Sequence, residues 1–139
     1  MIIVDTNVIS ELMRPTPEPD VVLWLAEQDA GELQVTAITL AEIAYGVERL
    51  PVGRRKATVR DTAREAMTAF RGRVIPFDEA AVPHYARIVS EREQSGRPMD
   101  AFDGQIAAIC AAHDARLATR NTKDFDGTGI TVLNPWRSA

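Results

Sequence analysis

Short apolar segments alternate along this chain with longer segments of helical period, and this alternation limits the possible folds most strongly. Each apolar segment is short and bounded by turn-like or charged residues, which is typical of a β-strand. The predicted strands are Ile2 to Val4, Leu33 to Ala37, Val74 to Phe77, Arg116 to Ala118 and Ile130 to Leu133. Repeated strand-helix alternation predicts an α/β fold with a mostly parallel sheet covered by helices on both faces.

Six helices are predicted between these strands from apolar spacing, caps and breakers. The first is marked by Val8, Ile9 and Leu12 and ended by Pro15 and Pro17, the second begins at Val21, and the third carries Leu40, Ile43, Val47 and Leu50. The fourth runs from Arg54 toward Phe70, and the fifth follows an N-cap at Asp78 and carries Tyr85, Ile88 and Val89. The sixth begins near Asp100, with Phe102, Ile106, Ile109, Cys110 and His113 on one face.

The length of 139 residues predicts a single domain spanning residues 1–139. No apolar run approaches the roughly 18 residues of a membrane span, and a secretory signal is not recognisable, so a cytoplasmic protein is expected. Cys110 is the only cysteine, which excludes an internal disulfide and a thiolate zinc cluster. Its apolar surroundings predict a small core residue.

Charge is distributed unevenly along the chain. The segment from Gly53 to Arg73 contains seven Lys or Arg against two Asp or Glu, a local net charge of +5. Because the whole chain carries −4, the remainder carries −9. A basic segment of this kind is either a solvated helix face or a surface for a nucleic-acid backbone.

Oxygen-bearing side chains follow several of the predicted strands. In a parallel sheet the strands end, and the following helices begin, at the same edge, where ligands bind. Asp5 closes the first strand, Glu42 is placed in the first turn of the third helix, and Asp103 in the first turn of the sixth. The loop after the fourth strand brings Asn121 and Asp124 to this edge. Four separate segments are therefore predicted to meet there.

Each of these residues also has a purely structural interpretation. Asp5 is suited to cap the helix that follows it, and Thr39 with Glu42 fits the S/T-x-x-E capping box. Asp103 is a first-turn acid favoured by the helix dipole, and loop aspartates such as Asp124 are common turn residues. Taken singly, each residue fits the structural role well. Their joint placement instead favours a shared cation, because carboxylates at close range repel one another.

A carboxylate cluster without cysteine or histidine is a hard oxygen site suited to Mg²⁺ or Mn²⁺ rather than Zn²⁺. The two histidines, His84 and His113, lie inside helical segments and are interpreted as structural. A magnesium site is suited to phosphoryl chemistry, since the cation lowers the pKa of a bound water and screens the charge of the phosphate. It also allows an acidic pocket to accept a polyanion.

Several basic residues are candidates for nucleic-acid binding. In the basic segment, Arg54, Arg55 and Lys56 are candidates to contact a nucleic-acid backbone independently of its sequence. Arg120, beside the acidic loop, either contacts phosphate or forms a surface ion pair. The residue pattern leaves both alternatives open.

Four blocks of the sequence resemble the PIN-domain proteins, and most closely the VapC/FitB-type toxins of bacterial toxin-antitoxin pairs. The blocks are "IIVDTNVISEL", "AITLAEIAYGV", "FDGQIAAICAAHDARLATRNTKDF" and "VLNPW", and they occur in the family's order over nearly the whole chain. The resemblance implies a three-layer α/β/α sandwich with a five-stranded parallel sheet. It also implies a Mg²⁺-dependent endoribonuclease that hydrolyses RNA phosphodiester bonds with metal-activated water.

By the same resemblance, Asp5, Glu42 and Asp103 fall on the family's three acidic positions. Where many relatives have an acid after "T-R", this chain has Asn121, with Asp124 three residues further on, so the number of metals stays open. Thr6 and Thr119 are predicted to orient the ligands through hydrogen bonds. The family further implies a homodimer and a small antitoxin that occupies the acidic groove and often binds operator DNA itself.

The main prediction is therefore a toxin ribonuclease in which Asp5 and Asp103 are the main ligands. Glu42 is expected to act as a ligand or as a base that orients water. Two alternatives stay open. One is a PIN-type nuclease of RNA maturation without an antitoxin, and the other is a catalytically silent binding module whose acids only cap helices or receive a partner's arginines.

Overall fold

The computed structural model describes residues 1–136 and places a five-stranded parallel sheet at the centre of the chain. The strand order is β3-β2-β1-β4-β5, and every neighbouring pair is parallel. The strands are β1 Ile2–Val4, β2 Leu33–Thr36, β3 Val74–Ile75, β4 Arg116–Ala118 and β5 Val132–Leu133. All five predicted strands are confirmed, and three are shorter than predicted. For example, Ala37 begins a helix instead of ending β2.

Within residues 1–136, six α-helices connect the strands, as predicted. They are α1 Thr6–Leu12, α2 Pro19–Glu27, α3 Ala37–Glu48, α4 Arg54–Ala69, α5 Val82–Gln94 and α6 Ala101–Ala112. Short 3₁₀ turns occur at Ala30–Glu32, Glu79–Ala81 and Thr122–Phe125.

Several details of the helix predictions are wrong. Leu50 was assigned to the third helix, but α3 ends at Glu48. The second helix begins at Pro19 instead of Val21, because proline suits the first helical turn. Asp78 caps a 3₁₀ turn that leads into α5 and not α5 itself, since its carboxylate accepts from the Ala80 N–H. Phe102 and His113 do not share the buried face of α6, because both are exposed.

Helices cover both faces of the sheet, which confirms the predicted three-layer α/β/α arrangement. Alternate residues of β1 point to opposite faces. Ile2 and Val4 pack in a cluster with residues of α1 to α4, whereas Ile3 packs in a second cluster with α5 and α6. Cys110 is completely buried in this second cluster, as predicted.

The order of the strands creates a crevice beside β1. The chain passes from β1 outward to β2 and β3 and then returns to the other side of β1 as β4. Ligands bind at such a switch point, outside the carboxyl ends of the strands. Asp5 lies directly at this point, because its N–H continues the β1–β4 ladder by donating to the Ala118 carbonyl at 2.9 Å.

A glycine allows α6 to approach α5 closely next to Asp103. A Cβ atom at Gly104 would lie 2.9 Å from Val89 Cγ2 and 3.1 Å from Tyr85 Cε2, closer than side chains normally pack. The small residue therefore sets the position of the first turn of α6, which carries Asp103.

Within residues 1–136, no helix combines the length and the apolar character required to cross a membrane.

Candidate active site

A cavity of about 530 Å³ opens at the carboxyl edge of the sheet. It brings together residues of β1, α1, α3, α6 and the segments after β4 and β5. The residues that line it are Asp5, Thr6, Asn7, Ser10, Glu11, Arg14, Glu42, Asp103, Arg120, Asn121 and Trp136. Four of the five predicted ligand positions thus lie around one cavity, and Asp124 does not line it.

Asp5 is a helix cap and also the buried floor of the cavity. Its Oδ1 accepts from the Thr6 N–H at 2.8 Å, so the predicted capping role is correct. Its Oδ2 accepts from the Thr119 hydroxyl at 2.7 Å and from Asn7 Nδ2 at 3.2 Å. Burial raises the pKa of Asp5, and the three hydrogen bonds lower it. The effect of burial is larger, so the pKa lies above its usual value.

Glu42 does not belong to a capping box. The N-cap of α3 is Thr36, whose hydroxyl accepts from the Thr39 N–H at 3.1 Å, so α3 begins three residues before the predicted start. Glu42 therefore lies in the second turn and not the first. Its Oε1 accepts from the Thr6 hydroxyl at 2.9 Å. Burial and the Asp5 charge raise the pKa of Glu42.

Asp103 is the most perturbed carboxyl group of the cavity. It lies in the first turn of α6, as predicted, and it is partly buried. Burial and then the charges of Asp5, Asp100, Asp124 and Glu42 raise its pKa from 3.8 to about 7. The structure therefore places several unneutralised carboxylates within electrostatic range of one another, which favours a bound cation.

The sequence reasoning did not single out Asp100. Its charge raises the pKa of both Asp103 and Glu42. Its position three residues before Asp103 was the available signal, because residues i and i+3 at a helix start face the same side.

The loop after β4 holds the two uncertain candidates in different positions. Asn121 lines the cavity, and its N–H donates to Thr119 Oγ1 at 3.1 Å. Asp124 is exposed, yet its charge raises the pKa of both Asp5 and Asp103. The buried Arg92 fixes this loop by donating to the Asp124 carbonyl at 2.8 Å and the Asp126 carbonyl at 2.9 Å.

Asn7 links the two strands that meet below the cavity, and sequence reasoning gave it no role. Its Nδ2 donates to Thr119 Oγ1 at 3.0 Å, and its Oδ1 accepts from the Arg120 N–H at 3.0 Å. These contacts tie the end of β1 to the end of β4. The polar run "DTN" after a buried strand was the available signal.

The predicted basic residues occupy two different environments. Arg54 and Arg55 line a groove of about 1000 Å³ between α1 and α4. Ser10 and Arg14 line both this groove and the carboxylate cavity, so the two are adjacent. Lys56 instead packs against α3, where its ammonium donates to the Glu48 carbonyl at 2.8 Å.

The histidines lie away from this cavity. His84 lines a separate cavity that also contains Arg116, at the opposite end of β4, and His113 is the exposed C-cap of α6. Neither histidine is among the residues that line the carboxylate cavity.

The donor set fits a hard divalent cation. In the part of the chain that the structure describes, no group of three or more His, Cys, Asp or Glu side chains is placed to hold a metal ion. Mg²⁺ usually keeps several waters and needs only one or two carboxylates. Asp5 and Asp103 supply carboxylate oxygens from two elements. The pKa of each is raised first by burial and then by neighbouring carboxylates, and a bound cation would offset both effects.

Known proteins match this chain over almost its whole length. The chain is 39% identical to the VapC ribonuclease Y4jK of Sinorhizobium fredii over 100% of both chains. It is also 39% identical to the toxin FitB of Neisseria gonorrhoeae over 98% of this chain and 99% of that protein. The solved structure of FitAB bound to an IR36 DNA fragment has a TM-score of 0.92 at 38% identity, covering 100% of this chain and 98% of that chain. Residues 2–130 match the PIN domain family, and the chain therefore belongs to the PIN-domain proteins.

Proposed function

We propose that this PIN-domain protein is a metal-dependent endoribonuclease and the toxin of a type II toxin-antitoxin pair. The observation that carries the proposal is the convergence of Asp5, Glu42 and Asp103 on one cavity, with the pKa of each raised. The names of relatives at 39% identity, a VapC ribonuclease and a toxin, support the reaction and the biological role. The proposed cofactor is Mg²⁺, with Mn²⁺ as a substitute, because the donors are carboxylate oxygens.

The proposed chemistry assigns each acid a role. Asp5 and Asp103 hold the cation from the end of β1 and the start of α6. When bound, the cation supplies a nucleophilic water with a lowered pKa and screens the charge that gathers on the phosphate. Glu42 is either a further ligand or the base that orients the attacking water. Its hydrogen bond from Thr6 fixes the orientation of its carboxylate for either role.

Asn121 and Asp124 are proposed as weaker contributors to the metal site. Asn121 lines the cavity and offers an amide oxygen without charge. Asp124 does not line the cavity, and its main contribution is electrostatic, because its negative charge raises the pKa of Asp5 and Asp103. One cation bound by Asp5 and Asp103 is therefore the simplest arrangement.

Loss of the Thr119 hydroxyl is expected to lower RNA cleavage, because this hydroxyl holds the Asp5 carboxylate in place. This buried hydroxyl donates to Asp5 and accepts from Asn7 and from the Asn121 N–H. In Thr119→Val these groups lose their partner, so RNA cleavage should fall about 10- to 100-fold, and the free energy of unfolding should fall by about 2 kcal/mol. Thr119→Ser is the matched control, because it keeps the hydroxyl. Equal activity of Thr119→Val and wild type would remove Thr119 from the site.

The path of the RNA is proposed to follow the basic groove into the cavity. Arg54 and Arg55 line this groove, which adjoins the cavity at Ser10 and Arg14. Cationic side chains neutralise phosphates without reading sequence, so the groove contributes affinity and not specificity. Lys56 is a weaker candidate because its ammonium is engaged at the end of α3.

A small antitoxin and a second copy of this chain are the proposed protein partners. FitB is named a toxin, and the structure of similar fold contains FitAB on a DNA fragment. By this likeness we propose that an antitoxin covers the acidic cavity and that operator DNA is bound only through the antitoxin. We also propose a homodimer.

The function is tested by incubating the purified chain with total RNA in Mg²⁺, in Mn²⁺ and in EDTA, followed by sequencing of the fragment ends. A toxin ribonuclease should cut at discrete sites only with the metal, and its expression should arrest growth until a cognate antitoxin is co-expressed. Cleavage without growth arrest would favour an RNA-maturation nuclease. Neither cleavage nor metal binding by calorimetry would favour a silent binding module.

A further inference from the structure

Arg120 stacks on an aromatic ring at the mouth of the acidic cavity. Its Cζ lies 5.2 Å from the centroid of the Trp136 ring, and both residues line the cavity together with the acids. Among the ion pairs of residues 1–136, none involves Arg120, although Asp5 and Asp103 line the same cavity. The exposed Arg120 guanidinium thus contacts the Trp136 ring instead of one of the carboxylates that line the same cavity.

Two adjacent strands bring this pair together. Arg120 follows β4, and its N–H is fixed by Asn7 Oδ1. Trp136 follows β5, and its N–H donates to Asn134 Oδ1 at 3.0 Å. Its side chain is partly buried and packs against the core cluster that contains residues of α1 to α4. Because β4 and β5 are paired and parallel, both residues emerge at the carboxyl edge of the sheet.

The ring contact leaves N–H groups of the Arg120 guanidinium available. Arginine carries five N–H donors, and none of those in the Arg120 side chain is taken by an acceptor among residues 1–136. Arg120 over the Trp136 ring can therefore still donate hydrogen bonds to a phosphate. An ion pair with Asp5 or Asp103 would instead occupy both the arginine and a proposed metal ligand.

We propose that Trp136 is a positioning residue that holds Arg120 as a phosphate-binding side chain at the cavity mouth, where it takes a backbone phosphate of the RNA next to the bond that is cut. The proposal rests on the proposed function for the identity of the polyanion. It assigns a role to Trp136, which lines the cavity but is not one of the proposed metal ligands. For Arg120 it selects phosphate binding over a surface ion pair.

The test is a double-mutant cycle on Arg120→Ala and Trp136→Leu. The first readout is the Kd of a fluorescently labelled RNA oligonucleotide, measured by anisotropy with Ca²⁺ in place of Mg²⁺. The second is kcat and KM with Mg²⁺. Arg120→Ala should raise Kd and KM about tenfold or more, because a charge-assisted hydrogen bond to phosphate is lost, while kcat changes by less than about twofold. Trp136→Leu should raise both about three- to tenfold, and the double variant should be no weaker than Arg120→Ala alone.

Conservative variants separate positioning from a merely structural role. Trp136→Phe keeps a ring and should recover most of the affinity that Trp136→Leu loses. Arg120→Lys keeps the charge but lacks the flat donor fork, so its Kd should lie between those of wild type and Arg120→Ala. This arm requires no change at Trp136 and stays informative if Trp136→Leu fails to fold. Arg116→Ala, at the opposite end of β4, is the matched control for loss of a surface arginine.

Several results would overturn the proposal. An unchanged Kd in Arg120→Ala would show that Arg120 binds no phosphate. Trp136 would not act through Arg120 if the Kd of the double variant rose by the product of the two single increases. The same conclusion would follow if Trp136→Phe and Trp136→Leu lost affinity equally. If the wild-type protein bound the oligonucleotide without cutting RNA, the proposed ribonuclease activity would be refuted. The Kd measurements on the Arg120 variants would still test phosphate binding.

Discussion

Asp103→Asn is expected to abolish metal-stimulated RNA cleavage, with a loss of at least about 100-fold in kcat/KM, because a direct ligand should matter more than the groups behind it. Asparagine has the same shape and keeps one oxygen, but it removes the charge that a divalent cation requires. No hydrogen bond to the Asp103 carboxylate occurs among residues 1–136, so the substitution breaks no contact within that region. The loss would therefore report on the site and not on the fold.

The measurement compares cleavage of one RNA oligonucleotide by wild type, Asp103→Asn and a matched control. Asp29→Asn is suitable as the control because Asp29 caps a 3₁₀ turn just before β2, at the opposite edge of the sheet. Asp5→Asn should also be inactive because the charge is lost. Its amide oxygen can still cap α1 through Thr6, but its amide nitrogen cannot accept from Asn7 and Thr119, so this variant also tests the fold. Near-wild-type cleavage by Asp103→Asn would refute Asp103 as a ligand.

The same substitution is expected to stabilise the metal-free protein at pH 8. The pKa of Asp103 is about 7 in the folded chain, against 3.8 for an unperturbed carboxyl group. Ionising Asp103 therefore costs folding free energy, about 4 kcal/mol without screening and about 2 kcal/mol once the partial exposure of the carboxylate is allowed for. Asp103→Asn removes this cost.

The sign of the pH dependence follows from proton binding. Between pH 4 and pH 7 the folded state holds a proton on Asp103 that the unfolded state has released, so wild-type stability falls as pH rises through this window. The stability difference between Asp103→Asn and wild type should be near zero below pH 4, grow up to about pH 7 and stay constant above it.

Urea unfolding in EDTA at pH 4, 6 and 8 measures this difference, and Asp29→Asn again serves as the control. Added Mn²⁺ should then stabilise wild type more than Asp103→Asn, because a cation that binds only the folded state shifts unfolding by mass action. Equal stabilities of the two proteins at pH 4 and pH 8 would show that neither burial nor the neighbouring carboxylates destabilise the ionised Asp103 in the folded chain.

The strands, the helices and the edge on which the acids lie were predictable from the sequence. Apolar segments such as Ile2–Val4 and the spacing of Ile43 and Val47 are local signals, since they depend on strand and helix periodicity alone. Parallel strands place every strand end at one edge, so the topology brought Asp5 and Asp103 together without any knowledge of contacts.

Cap positions were less predictable because neighbouring residues compete for the same role. Thr36 and Thr39 are both suitable N-caps for α3, and the sequence favoured Thr39 because it forms a capping box with Glu42. In the structure β2 ends at Thr36, and the Thr36 hydroxyl takes the cap. Glu42 is thereby released to contact Thr6 across the cavity.

By itself, the sequence determined the α/β fold, the parallel sheet and the shared edge of Asp5, Glu42 and Asp103. Only the tertiary structure decided which partner each side chain takes. Thr6 lies 36 positions from Glu42, and Thr119 lies 114 positions from Asp5, so these contacts exist only after the strand order is formed. The stacking of Arg120 on Trp136 depends in the same way on the pairing of β4 with β5. Periodicity is a property of neighbouring residues, whereas a hydrogen bond or a ring contact requires two distant segments at a definite distance and angle.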